Sequence, residues 1–456
     1  MKSSRRGFLK AGVITGAGIT MAPTLAFGML KREEKVRVAF IGVGNRGRNH
    51  LGNFLQRNDV IIPAVCDTDP FALERTTELF KKFGQPVPDY YTGDDYAFMD
   101  LLARNDIDGV VISTPWLWHT RMAVATMKAG KHVGVEVSAA NTIEECWDLV
   151  STYEETGKHC MILENVCYRK DVMAVLQMVR EGLFGEIVHA RCGYQHDLRK
   201  VKFSRGRQPG DETLRYGKEA LGEARWRTEH SLQRNGDLYP THGAGPIATM
   251  LDINRGNRFV SLTATASKAR GLHDYIVNHP DGGKNHPYAG LIWKLGDIVT
   301  TTIKTAREET IIVTHDTNLP RPYSLGFRVQ GVKGLTEFDI SDQRIYIEGV
   351  SEYDKWEKMG PYFEKYNHPL WQRWGGNATG SGHGGMDFFV AHAFVEFIKR
   401  NEYPPMDAYD AAAWSVITPL SEASVANNGE PQDFPDFTRG RWMTNKPIFS
   451  IRGDLY

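Results

Sequence analysis

Short, mostly apolar runs alternate with stretches whose apolar residues recur at helical spacing through the first part of the chain. Val36-Arg37-Val38-Ala39-Phe40-Ile41, Val60-Ile61-Ile62-Pro63-Ala64-Val65-Cys66, Gly109-Val110-Val111-Ile112, residues 131–138 and residues 159–165 read as strands. Each is short and several are rich in β-branched side chains, which favours strand over helix. Between them, residues 69–83, 96–104, 122–128 and 142–156 carry helical patterns. Strand and helix in alternation is the signature of a parallel sheet with helices on both faces, here a Rossmann-type α/β domain over residues 35–165.

After Asn165 the texture changes. A helix over 171–180 and the turn Gly182-Leu183-Phe184-Gly185 lead into longer strands at 187–194, 260–266 and 298–304, with few helices between them. This predicts an α+β domain over 166–456 with a broad, mostly antiparallel sheet. Residues 196–229 form a polar, arginine-rich excursion around Trp226, read as an active-site loop. Helices return at 386–400 and 407–426, and the C-terminal helices are expected to pack back on the first domain.

Composition changes this picture little. The 456 residues suffice for two or three domains with real cores, and 41% hydrophobic and 24% charged residues are ordinary for a globular chain. Basic and acidic residues number 55 each, so nothing in the charge balance suggests nucleic acid or an anionic membrane as a partner. The five cysteines (Cys66, Cys146, Cys160, Cys167, Cys192) are odd in number and contain no C-x-x-C pair, so neither a disulfide framework nor a metal site is expected. Ten tryptophans suit a large core and equally a site where sugar C–H faces stack on rings.

Residues 1–28 stand apart from the fold. Ser4-Arg5-Arg6-Gly7-Phe8-Leu9-Lys10 precedes a short Gly/Ala-rich apolar run ending near Ala26-Phe27-Gly28, the layout of a twin-arginine signal. The run is too short and too rich in glycine for a membrane span. Export to the periplasm or the extracellular face is therefore expected. That route carries folded proteins, which suits a chain that takes up a nucleotide before it leaves the cytoplasm.

The nucleotide expectation comes from Gly42-Val43-Gly44-Asn45-Arg46-Gly47, placed between the first strand and a helical pattern. Gly42 permits the tight turn, Gly44 lets the backbone approach a pyrophosphate at the helix N-terminus, and Gly47 allows tight helix-on-strand packing. Asp67, at the end of the second apolar run, would accept hydrogen bonds from the adenosine ribose and repel a 2′-phosphate, which puts NAD ahead of NADP. Ligands of open α/β sheets bind beyond the carboxyl ends of the strands, so Trp116, His119, Glu136 and Asn165 belong on the cofactor side.

These segments, with Trp116-Leu117-Trp118-His119, Glu136-Val137, Tyr239-Pro240-Thr241-His242 and Gly382-His383-Gly384-Gly385-Met386-Asp387, resemble the Gfo/Idh/MocA oxidoreductase superfamily. More narrowly they resemble glycoside hydrolase family 109, the NAD-dependent α-N-acetylgalactosaminidases. The resemblance implies that Asn45, Arg46, Asp67, Trp116, Leu117, Trp118, His119, Glu136, Val137, Asn165 and Tyr239 contact NAD. It implies that Tyr194, Arg227, Tyr239, Pro240, Thr241, His242 and Tyr323 contact the sugar. Dehydrogenases of the superfamily usually carry Glu-Lys-Pro where this chain has Glu136-Val137-Ser138, so the usual lysine base is absent. Tyr239 and His242, three residues apart on one helical turn or in a tight loop, are the expected catalytic pair. His383, which either reaches the site or belongs to a helix cap, is left outside it.

The implied reaction is oxidation-assisted elimination on terminal α-linked N-acetylgalactosamine of a glycan: oxidation at carbon 3, loss of the carbon 2 proton, departure of the glycosidic oxygen, water addition and reduction. One tightly bound NAD would serve every turnover. The absence of an evident pair of hydrolytic carboxylates agrees with this scheme. The alternatives are an exported NAD(P)-dependent sugar oxidoreductase of the glucose–fructose oxidoreductase type, and a sugar-binding protein without chemistry. A homo-oligomer formed through the second-domain sheet is also expected.

Overall fold

The computed structural model describes residues 35–451, so the twin-arginine pattern lies outside the described residues. The first domain runs β1 (Val36–Ile41), α1 (Asn45–Leu55), β2 (Val60–Ile61), β3 (Ala64–Cys66), α2 (Pro70–Lys82), β4 (Asp89–Tyr91), α3 (Phe98–Leu102), β5 (Gly109–Ile112), α4 (Trp116–Lys128), β6 (His132–Val135), α5 (Ile143–Thr156) and β7 (Cys160–Ile162). Its strands lie in the order β4-β3-β1-β5-β6-β7, with β2 beside the start of β1, and every pair is parallel. The order reverses between β3 and β5 around β1, which opens a crevice above the carboxyl end of β1.

One helix begins earlier than the hydrophobic spacing predicts. α4 starts at Trp116, directly after Pro115, rather than near Met122. Proline ahead of a helix start costs no hydrogen bond, so the aromatic segment forms the first turn. Trp116 and His119, three apart, are therefore buried, whereas Leu117 is 59% exposed.

The second domain continues with α6 (Lys170–Arg180), β8 (Ile187–Gln195), α7 (Arg199–Lys202), α8 (Arg227–Gln233), α9 (Thr241–Met250), β9 (Phe259–Ala266), α10 (Gly271–Asn278), β10 (Ile298–Thr305), β11 (Thr310–Asp316), β12 (Phe327–Gly331), β13 (Gly334–Phe338), β14 (Arg344–Ile347) and β15 (Glu357–Lys358). Helices α11 (Gly360–Lys365), α12 (Pro369–Ala378), α13 (Met386–Arg400), α14 (Ala408–Ser415) and α15 (Ile417–Ala426) follow, then β16 (Gln432–Asp433). Nine strands form one sheet in the order β15-β14-β13-β12-β8-β11-β10-β9-β16, antiparallel except for β8 with β11. The segment read as one helix over 407–426 is two, α14 and α15, with Pro419 in the first turn of the second. The excursion at 196–229 is more ordered than a loop: it holds α7, a 3-10 turn at Gly222–Arg225 and the start of α8.

The C-terminal helices lie against the first domain. Phe394 of α13 meets Phe54 of α1 edge-on, and the Tyr409 hydroxyl of α14 donates to Glu154 of α5 at 2.9 Å. Helix α9 lies close on β8, because a Cβ at Gly243 would stand 2.7 Å from the Gly193 nitrogen. Only glycine allows that approach, and it carries Tyr239 and His242 onto Tyr194. All five cysteines are free and buried. Among the described residues no helix is long and apolar enough to cross a membrane.

Candidate active site

A cavity of about 1560 Å³ opens above the strand ends, walled by the glycine turn on one side and by Tyr194, Tyr239 and His242 on the other. At the turn, Gly42 has φ +84°, and a Cβ on Gly47 would stand 2.0 Å from the Gly42 carbonyl oxygen. A Cβ on Gly44 would meet nothing within 4 Å, so the backbone at the start of α1 faces open space. No side chain caps that helix. Its first N–H groups therefore remain available to an anionic ligand, and the cradle fits a dinucleotide pyrophosphate. Asp67 sits at the β3 end with Oδ2 accepting from the Val43 N–H at 2.7 Å and Oδ1 from the Asp69 N–H at 2.8 Å. Burial raises its pKa, while those backbone donors act in the opposite direction.

Beyond the turn the wall is charged and buried. Glu136 meets Arg46 at 2.5 Å and the His50 ring at 2.6 Å. Burial opposes its ionisation, but Arg46 and His50 outweigh it and hold the carboxyl well below the usual carboxylate range. Arg46 also donates to Asp387 at 2.8 Å, Asn165 donates to the other Asp387 oxygen at 2.9 Å, and His383 Nδ1 lies 2.7 Å from Asp387. Asp387 is wholly buried, yet His383 and Arg46 keep it ionised. The Asn165 Oδ1 atom is buried without a partner. Trp116 donates its ring N–H to the Val137 carbonyl at 3.1 Å, and both His119 nitrogens lie 2.7 Å from backbone carbonyls of Ser138 and Thr114.

At the far end, aromatic rings converge. Tyr239 lies 4.5 Å from Tyr194, 4.9 Å from His242 and 5.7 Å from Trp116, ring centre to ring centre. The Arg227 guanidinium is set over Trp116 (4.7 Å), Trp226 (5.1 Å) and Tyr239 (5.2 Å), with Glu223 as its ion-pair partner at 2.6 Å. Arg227 opens α8 and so is fixed by helix and rings rather than solvated in a loop. Burial pushes the Tyr194 hydroxyl up to about 12 and Tyr239 well above its ordinary value, so both stand as neutral hydrogen-bonding groups at neutral pH.

His242 is braced from behind. Its Nδ1 lies 2.8 and 2.9 Å from the two oxygens of Glu164, a carboxylate with no exposed surface. An ionised carboxylate only accepts, so Nδ1 carries the proton and the Nε2 lone pair is left for the cavity. His383 Nδ1 likewise meets a buried carboxylate, Asp387, with the Arg46 guanidinium also 3.2 Å away, and its side chain lines the same cavity, 48% exposed. Two histidine–carboxylate pairs thus face one cavity. They are joined at the root, because Glu164 holds one and the next residue, Asn165, holds the other.

Most of the residues expected at the site line this cavity: Gly42, Gly44, Asn45, Arg46, Asp67, Trp116, Trp118, His119, Glu136, Val137, Asn165, Tyr194, Arg227, Tyr239 and His242. Five do not. Gly47 is consumed in helix packing, Leu117 turns outward on α4, and Pro240 and Thr241 are buried at the start of α9. Tyr323 reaches the wall only indirectly, with its ring 6.2 Å from Tyr194 and 5.0 Å from His196. Sequence reasoning missed Glu164 and Asp387 and left His383 out. The signal for Glu164 was a carboxylate ending the apolar run Met161-Ile162-Leu163. Among the described residues, no three His, Cys, Asp or Glu side chains are grouped to hold a metal ion.

Comparison with known proteins agrees with this division of labour. Residues 36–164 match the NAD-binding Rossmann fold of the oxidoreductase family, and residues 168–444 match the C-terminal domain of glycosyl hydrolase 109. An alpha-N-acetylgalactosaminidase of Tannerella forsythia is 50% identical, over 99% of this chain and 100% of its own length. A glycosyl hydrolase family 109 protein of Stenotrophomonas maltophilia is 51% identical over 98% of each chain. Among solved structures, levoglucosan dehydrogenase in complex with NADH and levoglucosan shares the fold, with a TM-score of 0.62 at 20% identity, over 88% of this chain and all of that one.

Proposed function

The chain belongs to glycoside hydrolase family 109, and from that premise we propose that it releases terminal α-linked N-acetylgalactosamine from glycans with one resident NAD recycled at each turnover. The observation that carries this reading is the shared cavity, in which a nucleotide cradle and two histidine–carboxylate pairs face the same space. The chemistry supplied by the bound nucleotide is reversible removal of a hydride from carbon 3, which acidifies the hydrogen at carbon 2 and leaves no net redox change.

The chain's own groups do the rest. The amides heading α1, with Asn45, Arg46 and Asp67, would hold the nucleotide, and Glu136 and Asn165 line the same cavity. Arg227 and the rings of Trp116, Tyr239 and Tyr194 form a flat wall for the sugar. His242, with Nδ1–H fixed on Glu164, takes the carbon 2 proton at Nε2, and Tyr239 orients the ring beside it. The carbon 3 hydroxyl gives its proton to solvent as it is oxidised and regains one on reduction, while His383, in its imidazolium form beside Asp387, gives a proton to the departing glycosidic oxygen and then takes one from the water that adds at carbon 1. His242 returns its proton to carbon 2, and the ring hydroxyls are restored.

The test needs no added cofactor. Purified protein is incubated with p-nitrophenyl α-N-acetylgalactosaminide: release of p-nitrophenol without net NADH is the expected result. Inertness there, with net NADH from free sugars and added NAD⁺, would refute the glycosidase in favour of a sugar oxidoreductase. Export follows from Arg5-Arg6 in this reading, and replacing both by lysine should retain the protein in the cytoplasm. A second copy on the open face of the nine-stranded sheet is the expected oligomer, checked by light scattering.

A further inference from the structure

The excursion between β8 and α8 has a structure and a contact that the reaction above does not use. It is folded on its own account: isolated bridges join Ser204 to Arg215 and Gly206 to Ala220, and Phe203 and Leu214 enter a separate small core with Leu272, Ile276 and Trp293. From that base it reaches across to the nucleotide-binding domain. Arg207 donates to Asp69 Oδ1 at 2.9 Å and Arg225 donates to Asp69 Oδ2 at 3.0 Å, so one carboxylate holds two separate turns of the excursion. The Arg207 guanidinium also lies 5.5 Å over the Phe71 ring.

The place of the contact gives it meaning. Asp69 follows the β3 end by three residues and caps α2, accepting from the Phe71 N–H at 3.1 Å. It stands two residues from Asp67, where an adenosine ribose would be held. In the same 3-10 turn as Arg225, Gly222 comes within 3.8 Å of the Asn45 side chain at the glycine turn, measured from the position of a Cβ. The excursion thus spans the cleft from the ribose end to the pyrophosphate end, and both of its turns line the cavity.

We propose that Asp69, Arg207 and Arg225 form a latch that closes the excursion over the adenosine half of NAD and sets how slowly the cofactor leaves. This rests on the captive-cofactor reading above. A nucleotide seated under the excursion cannot depart sideways until both ion pairs part. The pairs are partly exposed, with side chains 22% to 37% accessible. Pairs of that kind are weak and screened by salt. The latch therefore slows release without locking the cleft, so the apoprotein can still load, and release should quicken as salt rises.

The experiment uses the holoenzyme as purified. NAD is counted after acid extraction, and its loss is followed after dilution by rapid desalting, at low salt and at 1 M NaCl. Asp69→Asn keeps an acceptor for the helix cap and removes the charge. It should release NAD about tenfold faster than wild type at low salt, a difference that closes at 1 M NaCl. The double variant Arg207→Gln/Arg225→Gln, which leaves the cap untouched, should behave alike and stands in if Asp69→Asn does not fold. Wild-type release rates and salt slope in the folded variants would overturn the latch. Wild-type protein purified without NAD would overturn the captive-cofactor reading, and the latch with it.

Discussion

Replacing Glu164 by glutamine probes the assigned base with little change of shape. The carboxylate is wholly buried and makes three contacts: both oxygens to His242 Nδ1, at 2.8 and 2.9 Å, and one to the Val166 N–H at 3.0 Å. In Glu164→Gln an amide oxygen in the Oε1 place can still accept from both the Val166 N–H and His242 Nδ1, while the amide N–H₂ takes the place of Oε2, 2.9 Å from Nδ1. One acceptor is thus exchanged for a donor facing Nδ1–H, and the negative charge that stabilises the imidazolium formed when Nε2 takes a proton is gone. A positioned general base contributes roughly 10²- to 10⁴-fold. The turnover number should therefore fall by about that factor, a loss of ~3–5 kcal/mol of transition-state stabilisation. Bound NAD and KM should change little, because the wall that binds both stays in place. Two measurements check the account: p-nitrophenol release, and exchange of the carbon 2 hydrogen with D₂O followed by NMR. Turnover within threefold of wild type would refute the base assignment. Reduced turnover with undiminished exchange would equally place the base on another group.

Three further changes probe the rest of the cavity and its support. Gly47→Ala puts a methyl 2.0 Å from the Gly42 oxygen, so the turn must shift; the purified variant should hold less than half the wild-type NAD and lose about 1–3 kcal/mol of stability, checked by extraction and urea melts, and full occupancy would contradict the packing argument. Arg227→Lys keeps the charge but replaces a flat guanidinium stacked on three rings with a point charge; KM should rise roughly tenfold with NAD content unchanged, from lost stacking of about 1–2 kcal/mol, and an unaltered KM would remove Arg227 from the sugar wall. Asp237 is buried with Oδ2 unpartnered, and burial pushes its carboxyl up to about 7. Its folded pKa lies above the unfolded value of about 3.9, so the folded state is favoured below pH 4 and loses that advantage as pH rises to 7. Asp237→Asn has no such loss, and its stability relative to wild type should climb by up to about 4 kcal/mol between pH 4 and 7. Buried neutral histidines such as His230, held down to about 4, act in the opposite direction over the same interval; the difference between variant and wild type cancels them, and a flat difference would contradict the burial argument.

The nucleotide-binding half was legible because its signals are local. A glycine turn between strand and helix, Asp67 at the next strand end and Glu136-Val137 in place of Glu-Lys are all read within short segments of chain. Leu117 shows the limit of that reading: a motif places four consecutive residues together, but a helix starting at Trp116 sends the second one outward. The buried carboxylates behind the two histidines were illegible for a different reason. Asp387 meets Asn165 across 222 residues, and Glu164 meets His242 across 78. No periodicity reports such pairings. Arg227 was expected at the sugar only through the family resemblance, since an arginine-rich polar excursion looks solvated until Trp116, Trp226 and Tyr239 are seen to enclose it.

The joined roots of the two histidine–carboxylate pairs bear on how the proposed reaction would run with Val137 where the family resemblance leads one to expect a lysine. In the proposed reaction, elimination moves protons at carbon 2 and at the glycosidic oxygen. Those transfers require two groups at a fixed separation. Glu164 and Asn165 are consecutive, and Glu164 also caps the 3-10 helix Asn165–Tyr168 by accepting from Val166, so a single peptide unit sets the spacing of both braces. On the far side, Gly382, His383, Gly384 and Gly385 all have positive φ. This backbone is one that ordinary side chains adopt only at a cost. Here it turns His383 toward the cavity while Asp387, four residues on, stays buried beneath it. In the reaction proposed above, the glycine run late in the chain is therefore as much a part of the chemistry as the one that opens it: the first makes room for a nucleotide, and the second would bring the proton that lets the glycosidic bond part.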